Sequence, residues 1–114
     1  MSTARSVSRS VQQARTLSGP HFETHGERDG CVVAPSGELD MACVDTFQSV
    51  LAPMEGRVVV DLSAVTFLDS SAISVLVAKQ NQLRTTGGAL VVRNPHSVPR
   101  QVLELTGLGD WIVD

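Results

Sequence analysis

Asp69-Ser70-Ser71 sets a carboxylate directly ahead of two hydroxyls, where an apolar strand pattern gives way to a helical one. A serine in the first turn of a helix has two uses. It can satisfy the free N–H groups there, or it can display its oxygen where those groups favour an anion. The second use makes Ser70 a candidate phosphate acceptor, with Ser71 as the adjacent, less favoured alternative.

Other chemistry fares worse. An acyl-transfer serine needs a base within reach and an oxyanion hole. The Gly-x-Ser-x-Gly elbow is absent, and the only histidine after Ser70 is His96, in a loop pattern beside Pro95. His21 and His25 are four residues apart in a segment that reads as extended. On a strand that spacing spans about 13 Å, too far for one ion to bridge. Asp40, Asp61 and Asp69 could in principle gather round a metal. Helix capping by Asp40 and Asp69, and strand termination by Asp61, account for all three without one. No glycine-rich phosphate loop is present. No catalytic residue, metal or cofactor is expected, and the chain does not read as an enzyme.

The elements that must position Ser70 follow from periodicity. His21–His25 reads as a first strand, and Glu27–Gly30 as a turn with the hairpin dipeptide Asp29-Gly30. Cys31–Ala34 is a second strand, ended by Pro35-Ser36-Gly37. Asp40 caps a helix over Met41–Leu51, with Val44, Phe47 and Leu51 on one face, and Pro53 stops it. Val58–Asp61 is a strand whose continuous apolar run suits a position covered on both faces. A short loop then leads to the helix that begins at Ser70 and directs Ile73, Leu76, Val77 and Leu83 inward. Gly87-Gly88 ends it. Ala89–Val92 is a strand. Ser97 caps a helix with Pro99 in its first turn and Val102, Leu103 and Leu105 packed, and Trp111–Val113 is a last strand. The order β-β-α-β-α-β-α-β predicts an α/β fold, a mixed, mainly parallel sheet packed by helices.

Length and composition set the limits. A chain of 114 residues with 42% apolar content forms one domain with a real core, and 4% aromatics make that core aliphatic. Residues 1–20 hold Arg5, Arg9 and Arg15 and no acid, which leaves a formal −6 on 21–114. They read as a flexible extension, although Val7, Val11, Ala14 and Leu17 fall near helical spacing. An acidic domain is a poor partner for nucleic acid. Cys31 and Cys43 lack zinc or disulfide spacing and read as core-facing thiols. No run approaches the roughly 20 apolar residues of a membrane span, and the N-terminus lacks a signal-peptide core. A cytoplasmic protein with no membrane partner is expected.

Several segments together resemble the STAS domain of bacterial anti-sigma factor antagonists. They are Gly37-Glu38-Leu39-Asp40, Val58-Val59-Val60-Asp61-Leu62-Ser63, Phe67-Leu68-Asp69-Ser70-Ser71-Ala72, Gly87-Gly88-Ala89-Leu90-Val91-Val92 and Leu105-Thr106-Gly107-Leu108. The resemblance covers residues 21–114 and leaves 1–20 outside. It implies that Ser70 is phosphorylated by an anti-sigma factor that is also a serine kinase. The unphosphorylated antagonist would bind that kinase and release a sigma factor, and a phosphatase would reset it. Asp40, Asp69, Ser70, Ser71 and Ser74 would form the partner surface, with Lys79 farther along the helix. Ala72 stands where the family often has glycine.

Electrostatics suits such a switch. A phosphate adds roughly −1.5 to −2 charge units. A helix N-terminus supports it by up to about 1 kcal/mol, so the fold survives. An interface built round an uncharged hydroxyl does not, because a buried unpaired charge costs several kcal/mol. Two alternatives stay open at this point: a STAS scaffold or partner-switch module outside sigma control, and a nucleotide- or lipid-sensing STAS domain.

Overall fold

The computed structural model describes residues 21–28 and 30–113. Both the extension expected over 1–20 and Asp29 of the hairpin dipeptide lie outside the described residues.

The chain begins with an antiparallel hairpin, β1 (His21–Glu27) and β2 (Gly30–Leu39). Glu27 pairs with Gly30, so Gly30 opens β2 rather than completing the turn. Its lack of a side chain serves a different need from the hairpin: a Cβ there would lie 1.8 Å from the Arg57 carbonyl oxygen of the neighbouring strand. A 3-10 turn (Met41–Cys43) leads into α1 (Val44–Leu51), and then come β3 (Arg57–Asp61), β4 (Ala64–Leu68) and α2 (Ser70–Arg84). β5 (Ala89–Arg93), α3 (Ser97–Leu105), a 3-10 turn (Gly109–Trp111) and β6 (Ile112–Val113) complete the order.

These strands form one six-stranded sheet in the order β1-β2-β3-β5-β6, with β4 also paired to β2. All pairings but the hairpin are parallel. The mixed, mainly parallel α/β architecture is thus as expected. Val58, Val59 and Val60 are all buried, as their uninterrupted apolar run requires.

Two expectations about β2 and its partners are corrected. The strand does not stop at Pro35-Ser36-Gly37 but runs on to Leu39. Its first half pairs with β3 as far as Val33↔Val60, and its second half pairs with β4 from Ser36↔Ala64. Pro35 falls where one partner has ended and the next has not begun, so its missing N–H is tolerated on that edge. Gly37, at φ 90°, starts the bulge that shifts the register between Gly37 and Glu38. The segment 62–68, expected as a loop, contains β4. Val65 and Leu68 of that strand enter the core.

α2 ends as its glycines foretell. The Gly88 N–H donates to the Leu83 carbonyl at 2.9 Å, with Gly87 at φ 84°. The same closure recurs after α3, where the Leu108 N–H donates to the Leu103 carbonyl at 2.8 Å. The start of α3 differs from expectation: Ser97 is its first residue rather than its cap, and no side chain caps it. Leu105 was expected inside but is 85% exposed. It sits two residues, about 200° of helix, from the fully buried Leu103.

Gln80 was not foreseen. β6 pairs only with Val92 and Arg93, which leaves the outer edge of β5 open at Leu90. The buried Gln80 amide fills that gap. It accepts from the Leu90 N–H at 2.8 Å and donates to the Leu90 carbonyl at 2.9 Å.

Candidate functional site

β2 and β4 are parallel neighbours whose last residues, Leu39 and Leu68, are in register. The residues that follow each strand, Asp40 and Asp69, therefore emerge side by side at the carboxyl ends of the strands. In open α/β sheets that edge is where sites form. The Asp69 N–H donates to the Leu39 carbonyl at 3.1 Å and fixes the pair.

Each aspartate then caps a helical segment. Asp40 Oδ1 accepts from the Ala42 N–H at 3.0 Å, capping the 3-10 turn that precedes α1 rather than an α-helix over Met41–Leu51. Asp69 Oδ1 accepts from the Ser71 and Ala72 N–H groups at 2.9 and 3.2 Å. Its other oxygen, Oδ2, accepts from the Met41 N–H at 3.1 Å. One carboxylate thus ties the start of α2 to the turn that Asp40 caps.

Ser70 is the first residue of α2 and is exposed. Among the described residues nothing hydrogen-bonds its hydroxyl. Ser71 is half-buried, with its backbone N–H engaged by Asp69. Ser74 is exposed one turn on, and its hydroxyl donates to the Ser70 carbonyl at 3.0 Å. Asp40, Asp69, Ser70, Ser71 and Ser74 are therefore held along one edge of the domain. Lys79 is not among them. It is 6% exposed, and its ammonium donates to the Ala52 carbonyl at 3.3 Å and to Gln82 Oε1 at 2.7 Å. Its place is the end of α1, where a cation suits the helix terminus.

Met41 was missed in the sequence. The short 3-10 turn buries Cys43 and leaves Met41 74% exposed beside Asp69. Phe67, also partly exposed, lies two residues before Asp69. An apolar residue just after a capping aspartate was the available signal.

Electrostatics at this edge is acidic. Burial pushes the Cys43 thiol up, and the charges of Asp40 and Asp69 push it the same way. Asp61 ends β3 away from this cluster. Burial alone would raise its carboxyl; the Ser63 backbone N–H and hydroxyl, together with the Arg93 guanidinium at 3.3 Å, outweigh that and hold it below the usual range. Among the described residues no group of three metal-ligating side chains could hold an ion. His21 and His25 are exposed on β1. No helix among the described residues is long and apolar enough to cross a membrane.

Known proteins share this fold. An anti-sigma F factor antagonist of Lysinibacillus sphaericus is 28% identical over 92 residues, which cover 76% of this chain and 79% of that protein. The unphosphorylated form of the anti-sigma factor antagonist SpoIIAA superposes with a TM-score of 0.74 at 23% identity, over 82% of this chain and 87% of that one. The phosphorylated form of SpoIIAA, a Bacillus cell fate determinant, gives 0.68 at 23% identity, over 82% and 90%. The sequence profile of the STAS domain matches residues 21–113, from the first described strand to the last, and the chain belongs to the STAS domain family.

Proposed function

We propose that this chain is an anti-sigma factor antagonist. With Ser70 unphosphorylated it binds an anti-sigma factor serine kinase and releases a sigma factor. Phosphorylation of Ser70 ends that binding, and a phosphatase restores it. The chain is the substrate and binding module of this cycle, in the cytoplasm, and not its enzyme.

The observation that carries this reading is the Ser70 hydroxyl. It is exposed and unbonded at the first position of a helix whose start is fixed by Asp69. Asp40, Met41 and Ser74 lie on the same edge and would form its docking rim. A phosphate there adds charge beside Asp69 without breaking any hydrogen bond of the Ser70 side chain. The switch is therefore local, electrostatic and steric, and needs no refolding. The likeness to both phosphorylation forms of SpoIIAA is consistent with one fold serving two states.

Incubation with anti-sigma factor kinases and ATP, followed by mass spectrometry, tests the proposal. Phosphate on Ser70, lost in Ser70→Ala, supports it. A kinase that binds the chain yet leaves Ser70 unmodified would assign it instead to a constitutive STAS scaffold.

A further inference from the structure

β1 is the last strand on its side of the sheet, paired with β2 and, among the described residues, with nothing on its other edge. Two residues separate Glu27 from Gly30, so that pair exchanges the closing hydrogen bonds of the hairpin. Every second residue back along β1 does the same: His25, Glu23 and His21 turn their N–H and C=O groups to β2. The groups of Phe22, Thr24 and Gly26 therefore point outward, a template for another strand. Nothing in the strand blunts that edge. It holds no lysine or proline, and its register with β2 is unbroken.

The side chains alternate with the same period. Phe22 stacks on Phe47 of α1, with ring centroids 5.6 Å apart, so Thr24 and Gly26 share the face that α1 covers. His21, Glu23, His25 and Glu27 line the opposite face, where His25 and Glu27 approach to 3.8 Å. All four are exposed, and the β2 residues beside them, Ser36, Ala34, Val32 and Gly30, carry no charge. About Thr24 the strand is its own complement: His21 answers Glu27, Glu23 answers His25, and Phe22 answers Gly26. Gly26 has no evident task within the chain. A Cβ there would meet nothing within 4 Å, and its φ is not in the left-handed region.

We propose that a second copy of this chain docks on that edge, β1 against β1, antiparallel and centred on Thr24. The outward N–H and C=O groups of Phe22, Thr24 and Gly26 then meet the same groups of the second copy, and two sheets become one. Glu23 faces His25 of the second copy, and His21 faces its Glu27, at the non-hydrogen-bonded positions where side chains come closest. Phe22 faces its Gly26, a pairing in which an aromatic ring covers a glycine at a sheet edge. Charge also selects the register. A slip of two residues one way sets Glu23 against Glu23 and His21 against His25. The other way sets His25 against His25 and Glu23 against Glu27. One strand pair is small beside a standard interface, so the dimer is weak and reversible.

The test is sedimentation equilibrium of the intact chain from ~10 μM to ~1 mM, the range of weak interfaces. It is run at about pH 6, where an imidazole carries much of its charge. The native chain should dimerise. Glu23→Lys or His25→Glu alone sets like charges opposite each other, and each should weaken self-association about tenfold. An equimolar mixture of the two variants should recover near-native affinity, because each copy then meets its opposite charge. A chain that stays monomeric throughout overturns the proposal. So does a dimer that neither variant weakens, or one that the mixture does not restore. Amide hydrogen exchange locates the contact: protection of Phe22, Thr24 and Gly26 should rise with protein concentration. Protection already complete in the dilute chain would place their partner within the same molecule and overturn the docking as well.

Discussion

Asp69 and Met41 are 28 residues apart in the chain, and the Asp69 carboxylate accepts the Met41 N–H at 3.1 Å while its other oxygen caps α2. Two helical segments therefore start from one side chain. The arrangement makes Asp69 a structural residue first, whatever partner meets it.

Asp69→Ala is expected to lower stability by about 1–3 kcal/mol, since it removes a cap and leaves the Met41 N–H without its acceptor. Asp69→Asn keeps one acceptor oxygen and should fall between the native chain and Asp69→Ala. Urea denaturation measures both. A loss below about 0.5 kcal/mol in Asp69→Ala would contradict the double role.

Ser70 should separate binding from folding. Ser70→Ala and Ser70→Asp are both expected to stay within about 0.5 kcal/mol of native stability, because the hydroxyl holds nothing. Calorimetry with the proposed kinase partner should give near-native affinity for Ser70→Ala. For Ser70→Asp it should give a loss of about a hundredfold, equivalent to about 2.7 kcal/mol. Equal affinities for the two variants would remove the switch.

Gln80 is a purely structural prediction. Gln80→Ala strands the N–H and carbonyl of Leu90 in the interior, at a cost of about 2–4 kcal/mol. Gln80→Glu keeps the acceptor for the Leu90 N–H but turns an oxygen toward the Leu90 carbonyl. Its thermal midpoint should rise on acidification through the carboxyl's titration, where protonation restores a donor. A pH series of melting curves distinguishes the two cases.

Asp61 sets an acid-side dependence. Its folded pKa lies below the ordinary 3.8. The stability it contributes is complete above the unfolded pKa and is lost as pH falls through the folded value. Asp61→Asn should be less stable than the native chain at neutral pH, with the gap closing in strong acid. A gap that does not change with pH would assign the effect to packing.

Lys79 works in the opposite sense. Burial lowers its pKa from 10.5, with Glu55 and Cys31 opposing. The unfolded chain then keeps the proton longer, so stability rises with pH between the folded value and 10.5. Lys79→Met should lose that slope. It should also be neutral or more stable, since its thioether can enter the cavity of about 290 Å³ lined by Leu51, Val75 and Ala78. Equilibrium unfolding from pH 8 to 10 measures both effects.

Legibility in the sequence tracked how local the cause was. The caps at Asp40 and Asp69, the Gly87-Gly88 stop and the valine run of β3 are set within a few residues, and each was readable. β4 was not. Its burial alternates imperfectly, with Val65 and Leu68 inside and Thr66 and Phe67 outside, and its existence depends on β2 running past Pro35. That continuation depends in turn on a change of partner no local pattern records. Gln80 and Lys79 escaped for the same reason: their acceptors lie 10 and 27 residues away. Of the site, the aspartates and serines were legible from motif order, whereas Met41 owes its place to a turn type and a distant carboxylate.

β2 touches β1, β3 and β4, and this makes it the domain's clock. A slip of one residue would turn Val33 and Leu39 outward and carry Asp40 away from Asp69. During synthesis the hairpin can close early, but the end of β2, residues 37–39, stays unpaired until residue 68 has been made. Only then can Leu39 and Leu68 align and the turn at Ser70 take shape. In the proposed cycle, kinase recognition of that turn would thus double as a check that the strand found its register.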